Sequence, residues 1–330
     1  MTLSERYEVP AQEWQFAPGE RTVPIYVREP EHGISPTTGI MIVLHGWGGD
    51  YLSESMMPWI DYFPDAYDVV IVSVQYLQST KDWWPADRKV PYDHGYLQAI
   101  DAIRALGYVR RQLRDEGIEH DDGRLFIMGG SGGGNITQMA AKFAPRTFAV
   151  AVDCCGMPGL TDAIAYGTGK GTTLNAAYSR DPRSPSYLAP HAQRIRDFGD
   201  LEHCRITAEL AADLKIVIIH GLEDAVCPPV PKIRQFANMV EAGMDVDAHF
   251  LSDADVDGES VTAPDHGIGP MHLATDRYAG MYLRPDSPLA RRRTGPTDFD
   301  LGVEVVYPVD GGRYVIDHAG PATVRFEAQA

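Results

Sequence analysis

The stretch RLFIMGGSGGGNITQMAAKFAP, Arg124 to Pro145, decides how this chain is read. It opens with a short run of β-formers and closes with helical spacing. Between the two, five glycines surround Ser131. A glycine costs about 1 kcal/mol inside a helix. Gly132, Gly133 and Gly134 therefore need a reason for standing where a helix begins. Gly129-Gly130-Ser131-Gly132-Gly133 fits G-x-S-x-G, in which a serine occupies a sharp strand-to-helix turn. Small flanking residues let strand and helix approach. The turn exposes the serine Oγ and aims the next N–H, that of Gly132, at a developing oxyanion. A phosphate cradle is the competing reading. A Walker loop needs Lys after Gly134, and a dinucleotide fingerprint needs a small residue at 135; Asn135 fits neither.

Working outward, similar apolar runs recur. They are Thr22–Val27, Gly39–Gly46, Asp68–Tyr76, Phe148–Gly156, Leu214–Gly221 and Asp245–Asp253. The middle ones are continuously apolar, which marks strands covered on both faces, as in a parallel sheet. Leu97, Ile100, Ile103, Leu106, Val109 and Leu113 have helical spacing. Strands alternating with helices predict an α/β fold: a mostly parallel central sheet flanked by helices. Residues 1–156 and 214–290 are the expected core. Residues 157–213, rich in Pro, Gly and polar side chains, are too long for a plain crossover and are read as an inserted cap or lid. Residues 291–330 are read as a linker and a C-terminal β-hairpin, with Val303–Tyr307 and Arg313–Asp317 alternating around PVDGG.

Other groups join the serine. The run IVLHGWGGD ends an earlier strand with His45-Gly46-Trp47-Gly48-Gly49. Its glycines free the backbone, and Trp47 N–H is the expected second oxyanion donor; His45 itself reads as structural. An acid and a base should follow in the order Ser, Asp or Glu, His. Asp224 stands three residues past Gly221, in the loop at a strand's C-terminal end, where α/β sheets place functional groups. Glu223 and Asp213 compete with it. In TAPDHGIGPMHLATD, His266 lies in the loop after the last core strand and is the expected base; His272, near a helix start, is the second choice.

The remaining features exclude more than they assign. The 330 residues are 44% hydrophobic, enough for a sizeable core, and carry a net charge of −17. That charge argues against a nucleic-acid partner and against anionic membranes. The first residues, MTLSERYEVPAQEW, hold no apolar leader core, and no apolar run approaches membrane-spanning length. Cys154, Cys155, Cys204 and Cys227 include no CxxC pair and read as reduced thiols of a cytoplasmic protein. Asp253, Asp255, Asp257 and Gly258 occupy calcium-loop positions one, three, five and six, but position twelve is Pro264, so calcium is not expected. No zinc spacing occurs and no cofactor is expected. Trp47, Trp83 and Trp84 are candidates to line an apolar pocket.

Together, VLHGWGGD, GGSGGG, HGLEDAVCPP and DHGIG resemble the α/β-hydrolase superfamily over Gly39 to His272. With YDHGYLQAIDAIRALGYV they are similar, more narrowly, to a bacterial hydrolase-like family of unknown function. The resemblance implies the α/β-hydrolase fold and the roles of Ser131, Asp224 and His266, but no substrate. The expectation is a serine hydrolase of a small-molecule ester, with Trp47 and Gly132 at the oxyanion. A peptidase or thioesterase on the same triad is the alternative. A non-catalytic binding protein on this fold is the rival from another class, and dehalogenase or peroxidase chemistry a third; Ser131 disfavours a dehalogenase, which needs Asp at that turn. The oligomeric state, a homo-oligomer included, stays open.

Overall fold

The computed structural model describes residues 2–80 and 90–329. Trp83 and Trp84 lie outside the described residues. The strands are β1 (Arg6–Ala11), β2 (Arg21–Arg28), β3 (Gly39–Leu44), β4 (Val69–Val74), β5 (Leu125–Gly130), β6 (Val150–Cys154), β7 (Lys215–Gly221), β8 (Val246–Leu251), β9 (Glu304–Val309), β10 (Gly312–Asp317) and β11 (Thr323–Ala328). The α-helices are α1 (Met57–Tyr67), α2 (Tyr96–Asp115), α3 (Gly132–Phe143), α4 (Asp162–Ala165), α5 (Pro190–Ile195), α6 (Leu201–Leu210), α7 (Pro229–Glu241), α8 (Met271–Leu283) and α9 (Asp298–Leu301).

The first eight strands form one sheet in the order β1-β2-β4-β3-β5-β6-β7-β8. β2 pairs antiparallel with both β1 and β4, and every pairing from β4 to β8 is parallel. This is the α/β-hydrolase fold. The continuously apolar strands have the burial their composition demands. In β3, Ile40, Ile42 and Leu44 pack into one hydrophobic cluster, and Met41 and Val43 into another on the opposite face. Helices α2 and α3 cover the first face, α1 and α8 the second.

Two strands escaped the sequence reading. β1 carries Pro10 and sits at the sheet edge, where a missing N–H is tolerated. β11 turns the expected C-terminal hairpin into a three-stranded antiparallel sheet, ordered β11-β10-β9. Its sequence, TVRFEA, mixes charges with only two large apolar residues, so alone it has little strand signal. This small sheet is fastened to the body by buried polar contacts. Tyr307 Oη donates to the Lys142 carbonyl on α3, and His318 Nε2 donates to the Phe143 carbonyl. Residues 157–213 carry α4, α5 and α6. Met157, Leu160, Ile164, Ala165 and Leu188 form a small apolar cluster with Tyr92 and Cys227, with Trp47 packed against it.

Candidate active site

Ser131 leaves β5 with φ 55° and ψ −117°, a conformation that L residues rarely adopt. Such backbone strain costs on the order of 1–3 kcal/mol and is kept only where the surroundings over-determine it. The glycines supply the surroundings. A Cβ on Gly129 would strike the backbone of Gly133, one on Gly133 the carbonyls of Leu44 and His45, and one on Gly134 the carboxylate of Asp153. A Cβ on Gly132 would lie 2.7 Å from the Trp47 nitrogen. The run is therefore small because β5, the loop after β3, and β6 all close on the start of α3.

Asp224 follows β7 and His266 lies in the loop before α8. Ser131 Oγ is 2.9 Å from His266 Nε2, and His266 Nδ1 is 2.8 Å from Asp224 Oδ2. Asp224 Oδ1 accepts from the amides of Val226 (2.8 Å) and Cys227 (2.7 Å). These bonds fix the carboxylate, and the carboxylate fixes the ring: Nδ1 carries the proton and Nε2 faces the serine as acceptor. Asp224 is fully buried, whereas about a quarter of the His266 side chain is exposed. Glu223 and Asp213, the competing acids, make no such contact. Asp213 caps Thr294 instead, accepting from its amide and hydroxyl.

The amides of Trp47 and Gly132 donate to no protein group among the described residues. The Trp47 N–H shares its peptide with the Gly46 carbonyl, which points the opposite way. Tyr76 Oη lies 3.1 Å from that carbonyl and 2.5 Å from the carbonyl of His45. His45 Nδ1 is 2.8 Å from the Gly46 carbonyl, and its Nε2 is 2.8 Å from Ser79 Oγ. Burial lowers the pKa of His45 to about 4, so it is a neutral scaffold. The Trp47 indole stacks on Tyr92, with centroids 3.8 Å apart. Sequence reasoning missed Tyr76, because nothing in DVVIVSVQY marks one strand-end tyrosine as a hydrogen-bond donor to a neighbouring loop.

Three further groups near Ser131, Asp224 and His266 also lacked a sequence signal of role. His220, next to last in β7, donates from Nε2 to the Cys227 carbonyl at 2.8 Å and stands 3.6 Å from Asp224 Oδ2. Burial, reinforced by Lys232, lowers its pKa to about 4. Lys232 and Asp153 form a fully buried ion pair at 2.6 Å, with Gln138 also donating to Asp153. The third is the Cys227 thiol. Asp224, Cys227 and His266 place ligand atoms within 4.8 Å of one another, as do Cys155, His220 and Asp224. Burial raises the pKa of both thiols far above neutral, which works against a thiolate ligand, and Asp224 and His266 already bond each other.

The acidic loop spends its oxygens locally. Asp257 Oδ1 accepts from the amides of Glu259, Ser260 and Val261, and its Oδ2 pairs with Arg277 at 2.6 Å. Asp255 Oδ2 accepts from the amide and hydroxyl of Ser252.

A cavity of about 410 Å³ opens beside Ser131. Met56, Pro58 and Trp59 line it from the start of α1, and Pro270, Met271 and His272 from the start of α8. Gly130 forms part of its wall; a Cβ there would lie 2.6 Å from Met271 Sδ. His272 thus faces the serine's cavity without entering the hydrogen-bonded row.

An α/β-hydrolase sheet with a strained serine between β5 and α3 defines the class of the protein. Within that class, the chain belongs to the family described as Protein of unknown function (DUF2920), whose model matches residues 78–278. No curated protein matches it in sequence. Among solved structures it is similar to an acylaminoacyl peptidase of Pyrococcus horikoshii, with TM-score 0.57 and 16% identity over 86% of this chain and 42% of that one. It is similar to a puromycin-hydrolyzing peptidase of Mycobacterium tuberculosis, with TM-score 0.55 and 17% identity over 88% of this chain and 41% of the other. Dipeptidyl peptidase 4 of Porphyromonas gingivalis aligns with TM-score 0.55 and 14% identity, over 84% of this chain and 35% of that one. The chain thus spans about two fifths of the length of these proteins, and the likeness is one of fold. Among the described residues, no helix is long and apolar enough to cross a membrane.

Proposed function

We propose that this protein is a serine hydrolase that cleaves a small carboxylic ester through an acyl-enzyme. The observation that carries the reading is the row Ser131–His266–Asp224, with spacings of 2.9 and 2.8 Å, beside two unpaired amides. Ser131 Oγ attacks the acyl carbon while His266 Nε2 takes its proton. Asp224 stabilises the imidazolium that forms and keeps its orientation. The carbonyl oxygen becomes an oxyanion and accepts from Trp47 N–H and Gly132 N–H; one such donor is worth roughly 10²–10³ in rate. His266 then protonates the departing alcohol. Water, deprotonated by the same imidazole, releases the acid and restores the serine. Asp224 is too deeply buried to meet substrate and acts through His266.

An ester is favoured over a peptide by the cavity. Its described lining contains no aspartate, glutamate, lysine or arginine that would hold a peptide's charged terminus. Thioesters remain within reach of the same triad. Residues 157–213, packed by apolar side chains against Trp47 and Cys227, serve in this reading as the lid over the core, and the setting is the cytoplasm. The test is a panel of p-nitrophenyl esters of graded chain length alongside aminoacyl-arylamides. Ester turnover at least tenfold above arylamide turnover is expected. Turnover of arylamides alone would reassign the protein as a peptidase.

A further inference from the structure

His272 stands out in the cavity beside Ser131. The neighbouring walls are Met56, Pro58, Trp59, Pro270 and Met271. Against them His272 presents an imidazole that makes no hydrogen bond to any described residue. Its ring contact is the edge of Tyr62, with centroids 5.7 Å apart. Burial lowers the pKa of this histidine, so at neutral pH it offers one N–H and one lone pair.

A partly buried polar group among apolar walls is costly unless something hydrogen-bonds to it. Elsewhere in the molecule, His220 donates to the Cys227 carbonyl and His318 to the Phe143 carbonyl. The nitrogens of His272 bond to no described residue, and its ring lines the cavity that holds the nucleophile. The volume of about 410 Å³ falls at the lower end of small-molecule sites, which run roughly 300–1,000 Å³. It suits one short chain, not a polymer. A net charge of −17 disfavours an anionic one.

We propose that His272 determines specificity for esters whose short acyl chain carries an uncharged oxygen, a hydroxyl or a carbonyl. The oxygen hydrogen-bonds to the imidazole while the methylenes pack on Met56, Trp59 and Met271. The proposal rests on Ser131 acting as nucleophile and names the acyl group that it accepts.

The experiment compares p-nitrophenyl hexanoate, 6-hydroxyhexanoate, 5-oxohexanoate and the mono-p-nitrophenyl ester of adipic acid, using wild type, His272→Leu and His272→Gln. A single neutral hydrogen bond predicts that wild type favours the hydroxy and oxo esters over hexanoate by about three- to tenfold in kcat/KM, mostly through KM. In His272→Leu that ratio falls to about one; His272→Gln, which can still donate, keeps part of it. Equal treatment of all esters by wild type, a preference that survives in His272→Leu, or a preference for the carboxylated adipate would each overturn the proposal. Ser131→Ala separates the two levels. If it hydrolyses every ester, the hydrolase reading fails; if it is dead and His272→Leu discriminates like wild type, only the specificity proposal fails.

Discussion

The hydroxyl of Tyr76 lies 3.1 Å from the carbonyl oxygen of Gly46, on the peptide whose other side carries the Trp47 N–H. The same hydroxyl donates to the His45 carbonyl at 2.5 Å, and His45 Nδ1 lies 2.8 Å from the Gly46 carbonyl, so Tyr76 and His45 together position this peptide for the proposed oxyanion site. Tyr76→Phe keeps the ring that stacks on His45 and loses the hydroxyl. The expected outcome is a fall in kcat of roughly 10- to 100-fold, a fraction of what losing an oxyanion donor costs, with KM within about twofold. Steady-state kinetics on one ester measures both. A rise in KM at unchanged kcat would instead show a role in substrate binding.

The two histidines of the His266 loop and the α8 start separate by the constant each one controls. His266→Ala removes the proton acceptor at Ser131 and should lower kcat by several orders of magnitude. His272→Ala should act on KM and spare kcat, because His272 lines the cavity and hydrogen-bonds to neither Ser131 nor Asp224. Kinetics of the two variants side by side decides this. A dead His272→Ala beside an active His266→Ala would exchange their roles.

Four histidines make the fold acid-sensitive. Burial, the largest cause in each case, lowers His45 and His220 to about 4 and His94 and His203 to about 3, from 6.5. Their folded pKa values are depressed, so below pH 6.5 the unfolded chain binds protons that the folded chain refuses. Their stabilising contribution is then complete above about pH 6.5 and is lost as pH falls toward 4. Melting temperatures from pH 8 to pH 4 should be flat first and then fall steeply. A flat profile down to pH 4 would contradict the neutral, buried state of these side chains.

The Lys232–Asp153 pair, fully buried beneath the start of α3, makes a separate prediction. Lys232→Met leaves Asp153 with an uncompensated charge and should destabilise the fold by about 3–5 kcal/mol. Chemical denaturation measures it. A change below 1 kcal/mol would mean that Asp153 takes up a proton or a new partner at little cost.

How much of this was legible beforehand follows from how local each cause is. The strand–serine–helix turn is local: Gly129, Gly133 and Gly134 are small because of contacts within a few residues or with adjacent strands, and the run itself betrays them. Asp224 and His266 were legible by place, since the loops that end β7 and precede α8 lie at the sheet edge where Ser131 emerges. The support around them was not. Tyr76 acts on a loop 30 residues earlier, and Lys232 meets Asp153 across 79 residues. Hydrogen bonds of that separation leave no periodic trace. That His272 lines the cavity beside Ser131 escaped for a related reason. Only the packing of α1 against α8 shows that the two helix starts share one cavity.

The most direct measurement of the central claim is active-site labelling with a serine-directed fluorophosphonate, read by intact mass and peptide mapping. Wild type should take up one equivalent, on Ser131, in parallel with loss of ester turnover. Ser131→Ala, folded by circular dichroism because alanine adds no bulk to the turn, should take up none and hydrolyse nothing. Labelling or turnover that persists in Ser131→Ala would contradict the assignment of Ser131 as nucleophile and, with it, the proposed function.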